Sequence, residues 1–222
     1  MKALKYLAIF CLACQPTDDS TENTPTENFK QHLTDPENAF WKTAAPDSFD
    51  AVFETSRGEF ALRVFRGWAP IGVDRFYNLA RAGFYDDSRF FRVRAGFIVQ
   101  FGIPGDPAIS QHWRERAMPD DPVKQSNTRG AAAFAMTGPD TRTTQIYINL
   151  DDNSRLDAQG FAPIGRIVEG MDEVVAKIYS EYGEDAGGGM RLGRQDRMFN
   201  EGNAHLDRDF PNLDKLTAIR IR

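Results

Sequence analysis

The sequence predicts a mainly β domain in which an antiparallel sheet closes or sandwiches on itself, covered by two amphipathic helices. Three observations carry that prediction. Short apolar runs of strand length recur at 89–93, 97–101, 131–136, 145–150 and 162–168, each bounded by turn or loop residues. Only two segments repeat with helical spacing. Strands and helices do not alternate, which argues against βαβ units and a parallel sheet.

Taken in order, residues 50–66 hold two β-forming runs around Ser56-Arg57-Gly58, and Phe60, Leu62 and Val64 share one face by period-two alternation. That pattern predicts an opening hairpin. Pro70 suits a first helical position, Val73, Phe76, Tyr77 and Ala80 follow at i, i+3, i+4 and i+7, and Gly83 can close the turn, so a helix is expected over 70–82. After the run of strands, Met171, Val174, Val175 and Ile178 repeat the helical spacing between Gly170 and Gly183, which predicts a second helix. The chain ends in the strand-like LTAIRIR. The count is two helices and about eight strands.

Two polar stretches, 104–128 and 183–214, exceed ordinary connections and read as binding loops or excursions. Gly187-Gly188-Gly189 reads as a hinge, because no strand-to-helix context makes it a phosphate cradle.

With 222 residues and 41% hydrophobic content, the chain can bury one good-sized core. A net charge of -5 leaves no basic footprint, so nucleic acid is not an expected partner. Both cysteines, Cys11 and Cys14, fall in the first hydrophobic stretch, so no disulfide framework holds the body. His32, His112 and His205 lack metal-like spacing and read as solvated or capping residues, and no metal site is inferred.

Lys2 and Lys5 precede an apolar run from Leu7 to Ala13, the charged and hydrophobic regions of a secretory signal that is too short to span a bilayer. Cys11-Leu12-Ala13-Cys14 resembles a bacterial lipobox, which implies cleavage after residue 13 and lipidation of Cys14; Cys11 departs from the aliphatic residue usual there. Several acyl chains at about 0.8 kcal/mol per buried CH₂ make a durable anchor. Pro16 to about Asn28 is too polar to order itself. The expected layout is a signal peptide over 1–13, a lipidated tether over 14–45 and a folded domain over 46–222, on the periplasmic side of a bacterial envelope and anchored to the outer membrane.

Phe90-Phe91-Arg92-Val93 followed by Ala95-Gly96-Phe97-Ile98-Val99-Gln100-Phe101-Gly102 resembles the signature of the cyclophilin-type peptidyl-prolyl cis-trans isomerases, with Arg92, Phe97 and Gln100 at the family's spacing. Phe134-Ala135-Met136-Thr137-Gly138-Pro139-Asp140 and Thr144-Gln145-Ile146-Tyr147-Ile148 resemble the family's next block, and Phe161-Ala162-Pro163-Ile164-Gly165-Arg166-Ile167-Val168-Glu169-Gly170-Met171 its closing motif. The resemblance spans roughly residues 50–222. It implies an eight-stranded antiparallel β-barrel capped by two α-helices.

It also implies isomerisation of X-Pro bonds in exported proteins. Such a bond faces a barrier of about 18–20 kcal/mol because the C–N bond has partial double-bond character. Arg92 is the residue implied to donate to the prolyl nitrogen as the amide twists, and its planar, permanently charged fork suits that task better than lysine. Gln100 would hold the substrate backbone. Phe97, Ile98, Tyr147, Leu156 and Phe161 would wall the proline ring, Ala135 would leave room for the residue before proline, and Met136 and Gln145 would line the adjoining substrate site. No cofactor, metal or nucleophile is required, proline-containing polypeptides are the implied partner, and nothing demands more than a monomer.

Several positions depart from the family pattern. Arg155 stands where the family has the tryptophan associated with cyclosporin binding, which predicts weak sensitivity to that inhibitor. Phe161 replaces the family's pocket histidine, Phe101 and Ile103 replace a glycine and an acidic residue, and Met136 replaces a polar residue. The alternative is a catalytically weak proline-peptide binding module or chaperone; a structural lipoprotein is a further rival. A Ser-His-Asp hydrolase is disfavoured for want of a nucleophile elbow.

Overall fold

In the computed structural model, which describes residues 30–187 and 195–222, the opening hairpin forms as its alternation predicts. Strands β1 (Ser48–Thr55) and β2 (Gly58–Phe65) pair antiparallel with Thr55 opposite Gly58, leaving a two-residue turn. Gly58 has a positive φ of 119°, a conformation that disfavours side chains.

Helix α1 (Pro70–Arg81) follows, with Pro70 in its first turn and Gly83 at φ 70° just beyond its end. Ala69 offers no side-chain cap. The orphan donors are taken from a distance instead: the Asp121 carboxylate accepts from Ile71 N–H at 3.0 Å and Gly72 N–H at 2.8 Å. Arg142, only 1% exposed, pairs with Asp121 at 3.1 Å and Asp120 at 3.0 Å. Val73, Phe76, Leu79 and Ala80 turn the helix's apolar stripe into the core.

The remaining strands are β3 (Ser88–Arg89), β4 (Arg92–Arg94), β5 (Ile98–Phe101), β6 (Ala131–Phe134), β7 (Ile146–Asn149), β8 (Pro163–Glu169) and β9 (Lys215–Ile221). They form one sheet of nine antiparallel strands in the order β3-β9-β1-β2-β8-β6-β7-β5-β4. Its two outermost strands are consecutive in the chain, separated by Phe90 and Phe91 alone. Two residues span only about 7–10 Å, so the sheet must curl until its ends nearly meet. The predicted run 89–93 is thus one interrupted strand, and counting it once returns the eight strands expected.

The helices differ from expectation. Over the predicted second helix there is one α-type turn followed by a short 3₁₀ turn, Val175–Lys177. Adjacent β-branched Val174 and Val175 fit a helix poorly, and the Tyr179 N–H donates to Asp214 at 2.8 Å, drawing the chain away from the helical path. The two polar excursions, by contrast, hold helices. Helix α2 (Pro107–Trp113) is capped by Asp106, which accepts from Ala108 N–H at 2.8 Å. Helices α3 (Asp196–Glu201) and α4 (Asn203–Asp209) bury Met198, Phe199 and Leu206 with Phe91, Ile103 and Leu213 in a satellite cluster. His205 is buried there and pairs with Asp209 at 3.0 Å.

The described part of the expected tether, residues 30–45, packs on the domain. Leu33 is buried, its carbonyl accepts from the Trp113 indole at 2.8 Å, and Asn78 donates to the Thr43 carbonyl at 2.7 Å. The folded body therefore reaches back past the expected boundary at residue 46. The signal peptide, Cys14 and the polar run to Asn28 lie outside the described residues, as do Gly188 and Gly189 of the glycine run. No helix among the described residues is long and apolar enough to cross a membrane.

Candidate active site

Period-two alternation on β4 to β7 creates two unlike faces. Val93, Val99, Phe101, Ala132, Phe134, Ile146 and Ile148 point into the main core. Their neighbours point outward, where Ile98, Ala133, Tyr147 and Leu156 form a separate buried cluster flanked by Phe97, Ala135 and Phe161. Strand register aligns this outer face: Arg92 lies opposite Gln100, Gln100 opposite Tyr147, and Tyr147 opposite Ala133.

The polar edge of the pocket is a chain of side-chain hydrogen bonds. Arg92 Nη1 donates to Gln100 Oε1 at 3.0 Å, Gln100 Nε2 donates to Gln145 Oε1 at 2.8 Å, and Gln145 Nε2 donates to Gln195 Oε1 at 3.1 Å. Gln100 is 4% exposed, so its amide orientation is set by these partners rather than by water. Arg92 keeps 15% of its side chain exposed, at the mouth. Its Nε donates to Glu184 Oε1 at 3.0 Å, and its Nη2 bonds to the same oxygen. The arginine is therefore both ion-paired and aimed along the pocket edge.

The apolar wall is fixed just as firmly. Phe97 ends a turn closed by its own N–H to the Arg94 carbonyl at 2.9 Å, with Gly96 at φ 67°. The Phe97 carbonyl then accepts from Leu150 N–H at 2.8 Å and Asn153 Nδ2 at 2.9 Å. Tyr147 and Phe161 meet edge to face, ring centres 5.7 Å apart. The Tyr147 hydroxyl donates to Asn127 Oδ1 at 2.7 Å, and burial pushes its pKa well up, keeping it neutral. Asn127 in turn donates to Asp157 Oδ1 at 2.8 Å and to the Phe161 carbonyl at 2.8 Å. Burial alone would raise the Asp157 carboxyl, but hydrogen bonds from Ser126 and Asn127 outweigh it and hold the carboxyl below its ordinary value.

Every predicted pocket residue except Met136 thus falls in the apolar cluster or the amide chain. Met136 lies alongside, its methyl 3.3 Å from where a Cβ on Gly160 would sit. Glu184, Asn127, Asn153 and Gln195 are absent from the sequence-derived set. They arrive from loops remote in the chain, and no local pattern marks them. Among the described residues no group of three or more His, Cys, Asp or Glu could hold a metal ion. A polar cleft of about 840 Å³ elsewhere, lined by Trp41, Arg75, Trp113 and Arg116 among others, shares no residue with this pocket.

Comparison with known proteins decides the family. The model of the cyclophilin type peptidyl-prolyl cis-trans isomerases matches residues 51–192. The chain belongs to this family. Among curated cyclophilins and related isomerases, the chain is 34% identical over 155 residues to peptidyl-prolyl cis-trans isomerase A of Dickeya dadantii, covering 65% of this chain and 78% of that protein. It is also 34% identical over 141 residues to peptidyl-prolyl cis-trans isomerase B of Escherichia coli, covering 57% and 82%. In fold it resembles the crystal structure of a Cryptosporidium parvum cyclophilin, with a TM-score of 0.55 at 16% identity over 79% of this chain and 98% of that one. That Cryptosporidium cyclophilin has also been crystallised in the presence of the dipeptide Ala-Pro. A cyclophilin from Hirschia baltica gives 0.55 at 17% identity over 80% of this chain and 74% of that one.

Proposed function

We propose that this cyclophilin accelerates rotation about X-Pro bonds in polypeptides, with Arg92 as the catalytic group and Gln100 as the substrate clamp. The observation that carries the reading is the Arg92–Gln100–Gln145 chain running along the edge of an aromatic pocket. A proline ring seated against Phe97, Ile98, Tyr147, Leu156 and Phe161 is held still, so the acyl part before it must rotate. As the amide twists, its nitrogen lone pair, delocalised into the carbonyl in the planar ground state, becomes localised on the nitrogen and able to accept a hydrogen bond. A guanidinium N–H aimed at that nitrogen strengthens only at the transition state, which is the condition for raising kcat. With Nη1 and Nε committed to Gln100 and Glu184, the guanidinium is held without reorganisation at the moment of twisting. Ala135, Met136 and Gln145 would receive the peptide backbone beside the ring.

The test is protease-free NMR exchange on a short X-Pro peptide with the purified chain. Arg92→Ala is expected to lower the acceleration about a hundredfold, the scale of losing one transition-state donor, while near-ultraviolet circular dichroism stays unchanged. The Glu184 ion pair supports a second reading, a proline-peptide binding module with weak turnover, because it takes up part of the Arg92 charge. Peptide binding with no exchange acceleration by the unmodified chain would select that reading.

The N-terminal residues support an exported protein held by lipid at Cys14, facing the periplasm at the outer membrane and acting on newly exported chains. Mass spectrometry of the chain expressed in a bacterium, beside Cys14→Ser, tests this. Acyl mass lost with Cys14→Ser supports it, and an unprocessed or unlipidated N-terminus refutes it.

A further inference from the structure

We propose that Arg94 and Arg155 form a cationic rim on the proline pocket that selects segments carrying an Asp or Glu side chain within a few residues of the proline. The inference rests on the isomerase reading and names its substrate class.

Three guanidinium groups surround the Phe97 ring: Arg155 at 5.0 Å, Arg94 at 5.5 Å and Arg92 at 5.8 Å from its centre. Arg92 and Arg94 lie two residues apart on one strand face, and Arg155 reaches the same ring from the turn Ser154–Gln159. Most arginines of the body are matched to carboxylates, such as Arg57 to Asp214, Arg63 to Asp50, Arg89 to Asp207 and Arg142 to Asp121. Among the described residues no carboxylate pairs with Arg94 or Arg155, and both side chains are exposed. Arg155 donates instead to the neutral Asn153 Oδ1 at 2.9 Å. The nearby acids are turned to backbone: Asp151 accepts from Asp152 N–H at 2.8 Å, and Asp152 from Ser154 N–H at 2.9 Å.

In a chain of net charge -5, two guanidiniums without a carboxylate partner over one Phe97 ring are a local reversal of sign. Stacking on Phe97 orients them without neutralising them, and leaves the outer N–H groups for an incoming anion. An extended substrate advances about 3.3 Å per residue, so with the proline beside Phe97 a carboxylate one to three residues away comes within reach of this rim. Glu184, the acid at this edge of the pocket, is already committed to Arg92.

The test uses the full chain and capped peptides that differ only in Glu, Gln or Lys at the second residue before or the second residue after a central proline. Glu at one of these positions is expected to raise kcat/KM about five- to tenfold over Gln, with Lys below Gln, the scale of two partly exposed charge pairs. The advantage should shrink in about 0.5 M salt. The double variant Arg94→Gln with Arg155→Gln should bring the Glu-to-Gln ratio to about one. A wild-type ratio near one at both positions, or a ratio the double variant leaves unchanged, overturns the rim. Should no peptide be turned over, the isomerase reading fails by itself, and the same Glu-to-Gln ratio read from NMR binding titrations decides the rim by the same criterion.

Discussion

Strands β5, β6 and β7 present two faces that share a backbone and little else. The inner face, Val99, Phe101, Ala132, Phe134, Ile146 and Ile148, is wholly apolar and merges with helix α1 and the rest of the core. The outer face carries Gln100, Gln145, Tyr147 and Ala133 and is closed by loops that supply Asn127, Asp157 and Glu184. The comparison teaches that stability and chemistry are assigned to opposite sides of the same residues. Because adjacent residues point opposite ways, a one-residue change of register would exchange the two functions entirely. Substitutions on the two faces should therefore separate cleanly.

The largest effect is expected on the inner face. Phe101→Ala removes a fully buried ring that packs against Phe53, Tyr85 and Phe90, and should lower unfolding free energy by about 3–5 kcal/mol in chemical denaturation. The outer-face counterpart, Arg92→Ala, should leave the denaturation midpoint close to wild type while abolishing most turnover. If Arg92→Ala unfolds the chain, or Phe101→Ala leaves stability intact, the division between faces fails.

A residue that belongs to both sides sharpens the comparison. Tyr147→Phe keeps the aromatic wall and deletes the 2.7 Å hydrogen bond to Asn127, leaving that amide oxygen with only Asn149 at 3.2 Å. A loss of about 1 kcal/mol in stability, together with a weaker grip on peptide seen as raised KM, is expected. Unchanged KM would show that Asn127 does not shape the pocket.

Asp157 makes the outer face acid-sensitive. Its folded pKa is lowered, so its contribution to stability is present above the unfolded carboxylate pKa and is lost as pH falls through the folded value. Peptide affinity measured on descending pH should fall below about pH 4, and Asp157→Asn should flatten that dependence. A profile that Asp157→Asn leaves unaltered would assign the acid sensitivity elsewhere.

The smallest effect probes Glu184. Glu184→Gln retains an acceptor for the Arg92 guanidinium and removes the opposing charge, so kcat/KM should rise about threefold. A fall instead would mean that the carboxylate is needed to aim Arg92.

Legibility differed by distance along the chain. Arg92 and Gln100 were legible through one contiguous family signature, and the structure shows why it is contiguous: they pair across one short hairpin whose turn, Arg94 to Phe97, is local. Tyr147, Gln145, Leu156 and Phe161 required the family pattern, since nothing near them in sequence says they meet Phe97. Helix α2, capped by Asp106, lies in a stretch read as a loop, because its surroundings are too polar for the apolar periodicity that would have announced it. The expected second helix shows the converse: good spacing at Met171 to Ile178 was overruled by β-branching and by the pull of Asp214 on Tyr179.

By itself the sequence determined the β-rich class, the opening hairpin, helix α1 and the identity of the arginine and glutamine at the pocket edge. Each of these follows from local periodicity, turn chemistry or an ordered family motif. Only the tertiary structure decided that the sheet curls until its ends β3 and β4 nearly meet, that Asp121 caps a helix some fifty residues away, and that Glu184 holds Arg92. Those choices depend on which distant groups satisfy one another once water is excluded. A buried donor or charge accepts whichever partner the fold brings within hydrogen-bond reach, and sequence separation carries no record of that encounter.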